Sequence, residues 1–305
     1  MPEPVGIVGV ATALAKPLEK LVDVCAAGAN QVFEPHAIRR RARAEADAAL
    51  IRAEAVVRGN ELALKAAHRL LDIEERRQKN IEAVAEKAKA ALPLTVSTEP
   101  VDPDWAVRFF NHAQDVGNEH MQLLWAKLLA GEVAKPGSFS PRTLRVVSDL
   151  TSREADLFET LCSIRTNVEG ERSPVLFYWT SPPHSLPSLD WEAIQELDAA
   201  GLVHDHFAGF QLEPTQGPVV IEAAGGMAFR LAPAVPGVAV SLMLGQVSFT
   251  PAGAELSQLA RWLWNPEHMR AVVEQWKEQG WTVQAMEVSA GALGERSLFE
   301  REMPF

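Results

Sequence analysis

Cysteine, long apolar runs, catalytic signatures and, in one half of the chain, cationic side chains are all scarce in this 305-residue sequence, and each scarcity excludes something. Two cysteines, Cys25 and Cys162, cannot build a disulfide framework, and both read as reduced, buried thiols of a cytoplasmic protein. The longest uncharged run near the start, Val5 to Ala15, is too short to span a bilayer, so no transmembrane segment is expected. Met1-Pro2-Glu3-Pro4 carries neither the basic region of a signal peptide nor the glycine of a myristoylation site. The sequence contains no phosphate-binding glycine loop, no zinc-type Cys/His spacing and no serine nucleophile elbow. No metal ion and no cofactor is therefore expected. His204-Asp205-His206 offers two imidazoles to one strand face but no third ligand.

The scarcity of cations is local. From Thr151 to Phe305 there are 9 Lys/Arg against 20 Asp/Glu, a balance of −11. The segment Ser188 to Ala200 has no Lys or Arg and carries Asp190, Glu192, Glu196 and Asp198. Phosphate contacts need cations, so this segment is not expected to read DNA. Residues 34–89 are the reverse, with 13 Lys/Arg and 10 Asp/Glu, a balance of +3. Their densest cluster is Arg39, Arg40, Arg41 and Arg43. Two readings apply to it: a phosphate contact to nucleic acid or lipid headgroups, or a solvated helix face, since Arg41–Glu45 and Arg43–Asp47 have i,i+4 spacing. Contact with nucleic acid is expected through this region alone.

What the chain has in abundance is helical periodicity. The fold class expected is α+β and predominantly α. Residues 1–33 hold an amphipathic helix after Pro17, with Leu18, Leu21, Val22, Cys25, Ala29 and Val32 on one face. That face either packs on its own protein or makes a peripheral membrane or partner contact through residues 5–33. Residues 34–92 read as a long alanine-rich helical arm or hairpin; alanine fills 16 of the 56 positions from Ala37 to Leu92, and Gly59-Asn60 marks a break. One stripe runs Leu62, Ala66, Leu70, Ile73, Arg77, Ile81, Val84, Ala88, Ala91, the repeat of a helix laid against a helix. Alanine seams bury little area, which favours self-association of the arm over an isolated hairpin.

A central helical bundle is expected over 103–150. Asp102-Pro103 starts it as N-cap and first-turn proline, Gly131 ends one helix, and Ser140-Pro141 opens another. Thr151-Ser152-Arg153-Glu154 is a capping box. A winged-helix-like α/β domain is expected over 151–289, with a helix capped by Ser188 or Asp190, a hairpin from 202–206 and 209–212, and helices opened by Thr250-Pro251 and Asn265-Pro266. Residues 290–305 read as a poorly ordered tail.

The polar constellation with the most chemical promise lies in the central region. His112, Asp115 and Glu119 share one helix face, with His120, Glu132 and Arg142 nearby in sequence. They form either an acid/base site built on Asp115, Glu119 and His120, or a network joining helices in which Asp115, Glu119 and Glu132 hold Arg142 or Arg145.

The run Gln122-Leu123-Leu124-Trp125-Ala126-Lys127-Leu128-Leu129-Ala130-Gly131-Glu132, continuing through Lys135-Pro136-Gly137-Ser138-Phe139-Ser140 and Arg142-Thr143-Leu144, resembles the signature of the bacterial domain-of-unknown-function family 2806. Lys16-Pro17-Leu18, Glu34-Pro35, Ile38-Arg39-Arg40 and Ala44-Glu45-Ala46 are similar to its N-terminal part. The resemblance covers residues 5–215 and implies a bacterial cytosolic protein with no assigned activity. The central segment is also distantly similar to abortive-infection proteins of phage defence. The function expected is a non-enzymatic interaction or assembly protein, an accessory or sensor in a phage-defence system, with a protein partner and homo-oligomerisation. The alternatives are a nucleic-acid or membrane-surface sensor using Arg39–Arg43 and an enzyme using Asp115, Glu119 and His120.

Overall fold

The computed structural model describes residues 15–29, 49, 61–168, 171–175, 186–260, 263–290 and 296–300. The chain is mixed α/β and divides into two compact units, Met1–Ser148 and Asp149–Phe305. The cluster Arg39, Arg40, Arg41 and Arg43, and the first half of the expected arm apart from Ala49, lie outside the described residues.

The first unit is helical: α1 (Ala15–Ala29), α2 (Glu61–Ala91), α3 (Pro103–Ala113), α4 (Glu119–Ala134) and α5 (Pro141–Asp149, entering the second unit at its last residue). Local chemistry sets the starts. The Asp102 carboxylate accepts from Asp104 N, the Asn118 side chain from Met121 N, and Ser140 Oγ from Thr143 N. Gly131 does not end α4, which continues through Val133, fully buried, to Ala134. The turn comes instead at Gly137, whose φ of +80° suits glycine.

The core of this unit is aromatic. Trp105 stacks on Phe109 at 5.2 Å, and Phe109 meets Phe110 and Trp125 edge-on, both also at 5.2 Å. Leu128, Leu129, Leu144 and Val147 of the same unit are also buried. The apolar face of α1, considered above for membrane contact, is occupied internally: Leu21, Val24 and Cys25 are buried, and α1 packs on α3. Gly28 makes that approach close, because a Cβ there would fall on the Phe110 ring and 2.8 Å from the Ala106 carbonyl oxygen. Among the described residues no helix is long and apolar enough to cross a membrane.

The second unit is an eight-stranded, wholly antiparallel sheet in the order β3-β6-β2-β1-β4-β5-β7-β8. Its elements are α6 (Ser152–Ser163), β1 (Arg165–Val168), β2 (Glu171–Val175), α7 (Trp191–Ala199), β3 (Val203–Thr215), β4 (Val219–Ala223), β5 (Met227–Pro233), β6 (Val240–Phe249), α8 (Pro251–Ser257), α9 (Pro266–Glu278), β7 (Trp281–Ala290) and β8 (Arg296–Glu300). The Thr151–Glu154 capping box is formed, and Asp190, Thr250 and Asn265 cap α7, α8 and α9. Strand β4 alternates buried and half-buried positions, so one face packs inward. On that face Ile221, Phe229, Leu231, Leu242 and Leu244 meet Val273 and Trp276 of α9. A second packing site joins Phe158 of α6 to Phe249 at the end of β6, ring centroids 5.5 Å apart.

Two expectations change here. The hairpin read from 202–206 and 209–212 is a single strand, β3, whose register against β6 slips between Asp205–Val247 and Phe210–Gly245. A bulge bends a strand without reversing it, and Gly245 opposite sits at φ +138°. Residues 296–300, assigned to a poorly ordered tail, pair with β7 as β8 from Met286–Glu300 to Ala290–Arg296.

Candidate functional site

The polar residues of the first unit fall into two structural knots and an exposed turn. The first knot ties α2 to the turn between α3 and α4. Arg77 grips Asp115 through two bonds, Nε to Oδ1 at 2.8 Å and Nη2 to Oδ2 at 3.2 Å. One turn further along, buried Asn80 donates to the Gln114 carbonyl at 2.8 Å. Two turns on, Lys87 Nζ donates 2.9 Å to Gln122 Oε1, and Gln122 Nε2 donates 2.9 Å to the Val116 carbonyl. Asn80, Gln122 and the backbone of 114–116 thus satisfy one another, as buried polar groups must. Arg77 is held above its ordinary pKa, first by its hydrogen bond to Asp115.

The second knot surrounds Glu132. This carboxylate is 1% exposed, on the inner side of α4. Oε1 accepts from Gly137 N at 2.6 Å and Oε2 from Phe139 N at 3.1 Å, so one side chain closes the 135–140 turn. Trp105 Nε1 then donates 2.7 Å to the Phe139 carbonyl and fixes the turn to α3. Lys20 of α1 donates 2.8 Å to the Ser97 carbonyl. Burial lowers the Lys20 pKa, and the charges of Glu99 and Glu132 oppose that shift.

The sequence-derived candidates therefore part company. Asp115 belongs to Arg77, and Glu132 to backbone amides, not to Arg142 or Arg145. His112 is half-buried and stacks on Trp125 with centroids 6.1 Å apart. Asp115, Glu119, His120 and Arg142 are exposed. Arg77, Asn80, Lys87, Gln122 and Lys20 were missed as members of the network. The legible signal was Arg77 itself, a charge inside an otherwise apolar stripe, which calls for a specific partner.

The same stripe changes character along α2. In α2 the face carrying Val84, Ala85 and Ala88 is buried. Toward the N-terminus no side chain from Lys65 to Lys79 is buried, and Leu70, on that same face, is 61% exposed.

A model for a family described as protein of unknown function (DUF2806) matches residues 65–272. The chain belongs to that family. The match opens in the exposed half of α2 and closes in α9, so it takes in both units. No curated protein and no solved structure matches the chain.

Among the described residues of the second unit, two concavities bear on function. One is a small pocket beside Arg165, Asn265 and His268, where the Arg165 guanidinium closes the space by donating to the Cys162 and Ala260 carbonyls. The other is an open groove lined by Gln211, Val240, Met243, Gln275 and Gln279. Gln279 Oε1 accepts from Met243 N at 2.9 Å, and Trp281 Nε1 donates to the Ser241 carbonyl at 3.3 Å, so these side chains cap the backbone of β6. Among the described residues no group of three metal-ligating side chains occurs.

Proposed function

We propose that the protein is a non-enzymatic interaction and assembly protein of the bacterial cytosol, acting as an accessory or sensor component of a phage-defence system. The observation that carries the assembly part is the split character of α2. One continuous apolar stripe is buried over its second half and presents Leu70 at 61% exposure in its first half. A helix of 31 residues is about 46 Å long, and about 24 Å of it precedes Arg77. An apolar helical face of that reach suits a helix of a partner or of a second copy, in the manner of a short coiled coil. The polar residues fit the same reading, since Asp115 is engaged by Arg77 in a solvent-open pair and Glu132 closes the 135–140 turn.

The phage-defence assignment rests on the distant likeness of the central segment to abortive-infection proteins. We read α6, α7 and the β3–β6 pair as a winged-helix-like module turned to protein contact, because its helix α7 carries Glu192, Glu196 and Asp198 and no base.

Co-expression of a tagged and an untagged copy tests the proposal. The untagged copy, or one dominant host protein, co-purifies with wild type and is lost with Leu70→Glu combined with Ile73→Glu. Recovery of the tagged chain alone, or recovery unchanged by the double substitution, contradicts it.

A further inference from the structure

The second unit carries a surface on α7 that deepens the protein-contact reading given above for that helix, and the inference drawn from it rests on that reading. Trp191 is the first residue of α7 and is 58% exposed, whereas Ala193, Ile194 and Leu197 on the other side of the helix are buried. At 100° per residue, Gln195 and Asp198 follow Trp191 at i+4 and i+7 on one face, and Glu192 stands exposed at its flank. Gln195 donates 2.7 Å to Asp205 Oδ2 on β3, and the other oxygen, Asp205 Oδ1, has no hydrogen-bond donor. The segment 188–200 contains no Lys or Arg, and Arg153, which reaches α7, is held by Glu196 at 3.1 Å. Asp205 Oδ1 is itself buried and Glu196 is taken by Arg153, so what the face offers a partner is the exposed indole of Trp191 with the exposed Glu192 and half-buried Asp198 carboxylates.

We infer that the α7 face built on Trp191, Glu192 and Asp198 docks an arginine-bearing segment of a partner protein. A guanidinium plane stacks on an indole and keeps its N–H edge free to fork onto a carboxylate. An ammonium, with a point charge and no plane, uses the indole less well. Nucleic acid and anionic lipid are repelled by Glu192, Glu196 and Asp198, and by the −11 balance of the unit from Thr151 onward. An exposed tryptophan is also the kind of residue that anchors interfaces, where a few aromatic residues carry most of the binding energy. This inference does not depend on α2, so it stands or falls separately from the assembly reading.

The test is fluorescence anisotropy of a labelled peptide of alternating arginine and alanine, and of its lysine counterpart, titrated with the full-length protein at about 0.15 M salt, where surface attraction alone is screened. The arginine peptide is expected to bind more tightly than the lysine peptide. Trp191→Ala is expected to weaken the arginine peptide about fivefold, with the lysine peptide less affected. Glu192→Lys with Asp198→Lys is expected to weaken both about tenfold. Trp191→Phe restores part of the loss, which separates stacking from a merely structural effect. Trp191 and Glu192 are exposed and Asp198 is half-buried, so the far-UV circular dichroism of each variant should match wild type. The inference is overturned if the arginine peptide does not bind, if Trp191→Ala binds it as tightly as wild type, or if the two peptides lose affinity equally on Trp191→Ala.

Discussion

Glu132 offers the sharpest test of how the first unit is held together. Its carboxylate is buried and accepts from two backbone amides, Gly137 N at 2.6 Å and Phe139 N at 3.1 Å. Replacing it with alanine removes both acceptors and strands two N–H groups, one of them on buried Phe139. A hydrogen bond to a charged group contributes about 1.5–3 kcal/mol, and a stranded buried donor adds its desolvation cost. The two bonds together set the expected loss at about 3–5 kcal/mol, the range found when one partner of a buried charge pair is removed. Glu132→Gln keeps one carbonyl oxygen but turns an amide N–H towards a backbone N–H, so its expected loss is about 1–3 kcal/mol. Urea titration followed by tryptophan fluorescence measures both, with Trp105 and Trp125 reporting on this unit. A loss under about 1 kcal/mol for Glu132→Ala would refute the view that this side chain closes the 135–140 turn.

Three further outcomes are expected. Burial pushes the Cys25 thiol from 9.0 up to about 12, so the folded chain keeps a proton that the unfolded chain has lost. That stability is complete below pH 9 and disappears as pH rises towards 12; at pH 10.5 wild type should have lost about 2 kcal/mol that Cys25→Ala does not lose, as read from urea midpoints at pH 8 and 10.5. Gly28→Ala should destabilise by about 1–3 kcal/mol through overpacking against Phe110 and the Ala106 carbonyl; a gain of about 1 kcal/mol in thermal unfolding, as for an open helical glycine, would contradict the close α1–α3 approach. Arg77→Ala should leave the urea midpoint unchanged within error, because the Arg77–Asp115 pair is open to solvent, and a large shift would make that pair an anchor of α2.

Much of the helical framework was legible because its signals are local. Asp102-Pro103, Thr151 to Glu154, Thr250-Pro251 and Asn265-Pro266 announce helix starts within four residues, and all four form the expected caps. Trp125, Leu128 and Leu129 were legible as core for the same reason, by spacing alone. What was not legible depends on residues distant in sequence. The Arg77–Asp115 contact spans 38 positions, and no pattern on either helix specifies it. Glu132 looked like one more polar residue at a helix end, because its burial follows from a turn that folds back over it. Gly28 gave no turn signal; its role appears only where α3 crosses α1. In the sheet, residues 207–208 read as the turn of a hairpin, whereas β6 supplies pairing that carries β3 through a bulge. The alanine-rich arm illustrates the same limit from the other side. Its stripe runs along α2, but only the packing of α2 on α4 reveals which part of it is covered.

The central claim is that the exposed half of α2 assembles this protein with itself or with a partner helix. Sedimentation velocity on the purified full-length chain, run as a concentration series beside Leu70→Glu, addresses it most directly. The account predicts a sedimentation coefficient that climbs with concentration for wild type and stays at the monomer value for the variant. A wild-type chain that remains monomeric across the series, or a variant that associates as strongly as wild type, would contradict self-assembly through Leu70.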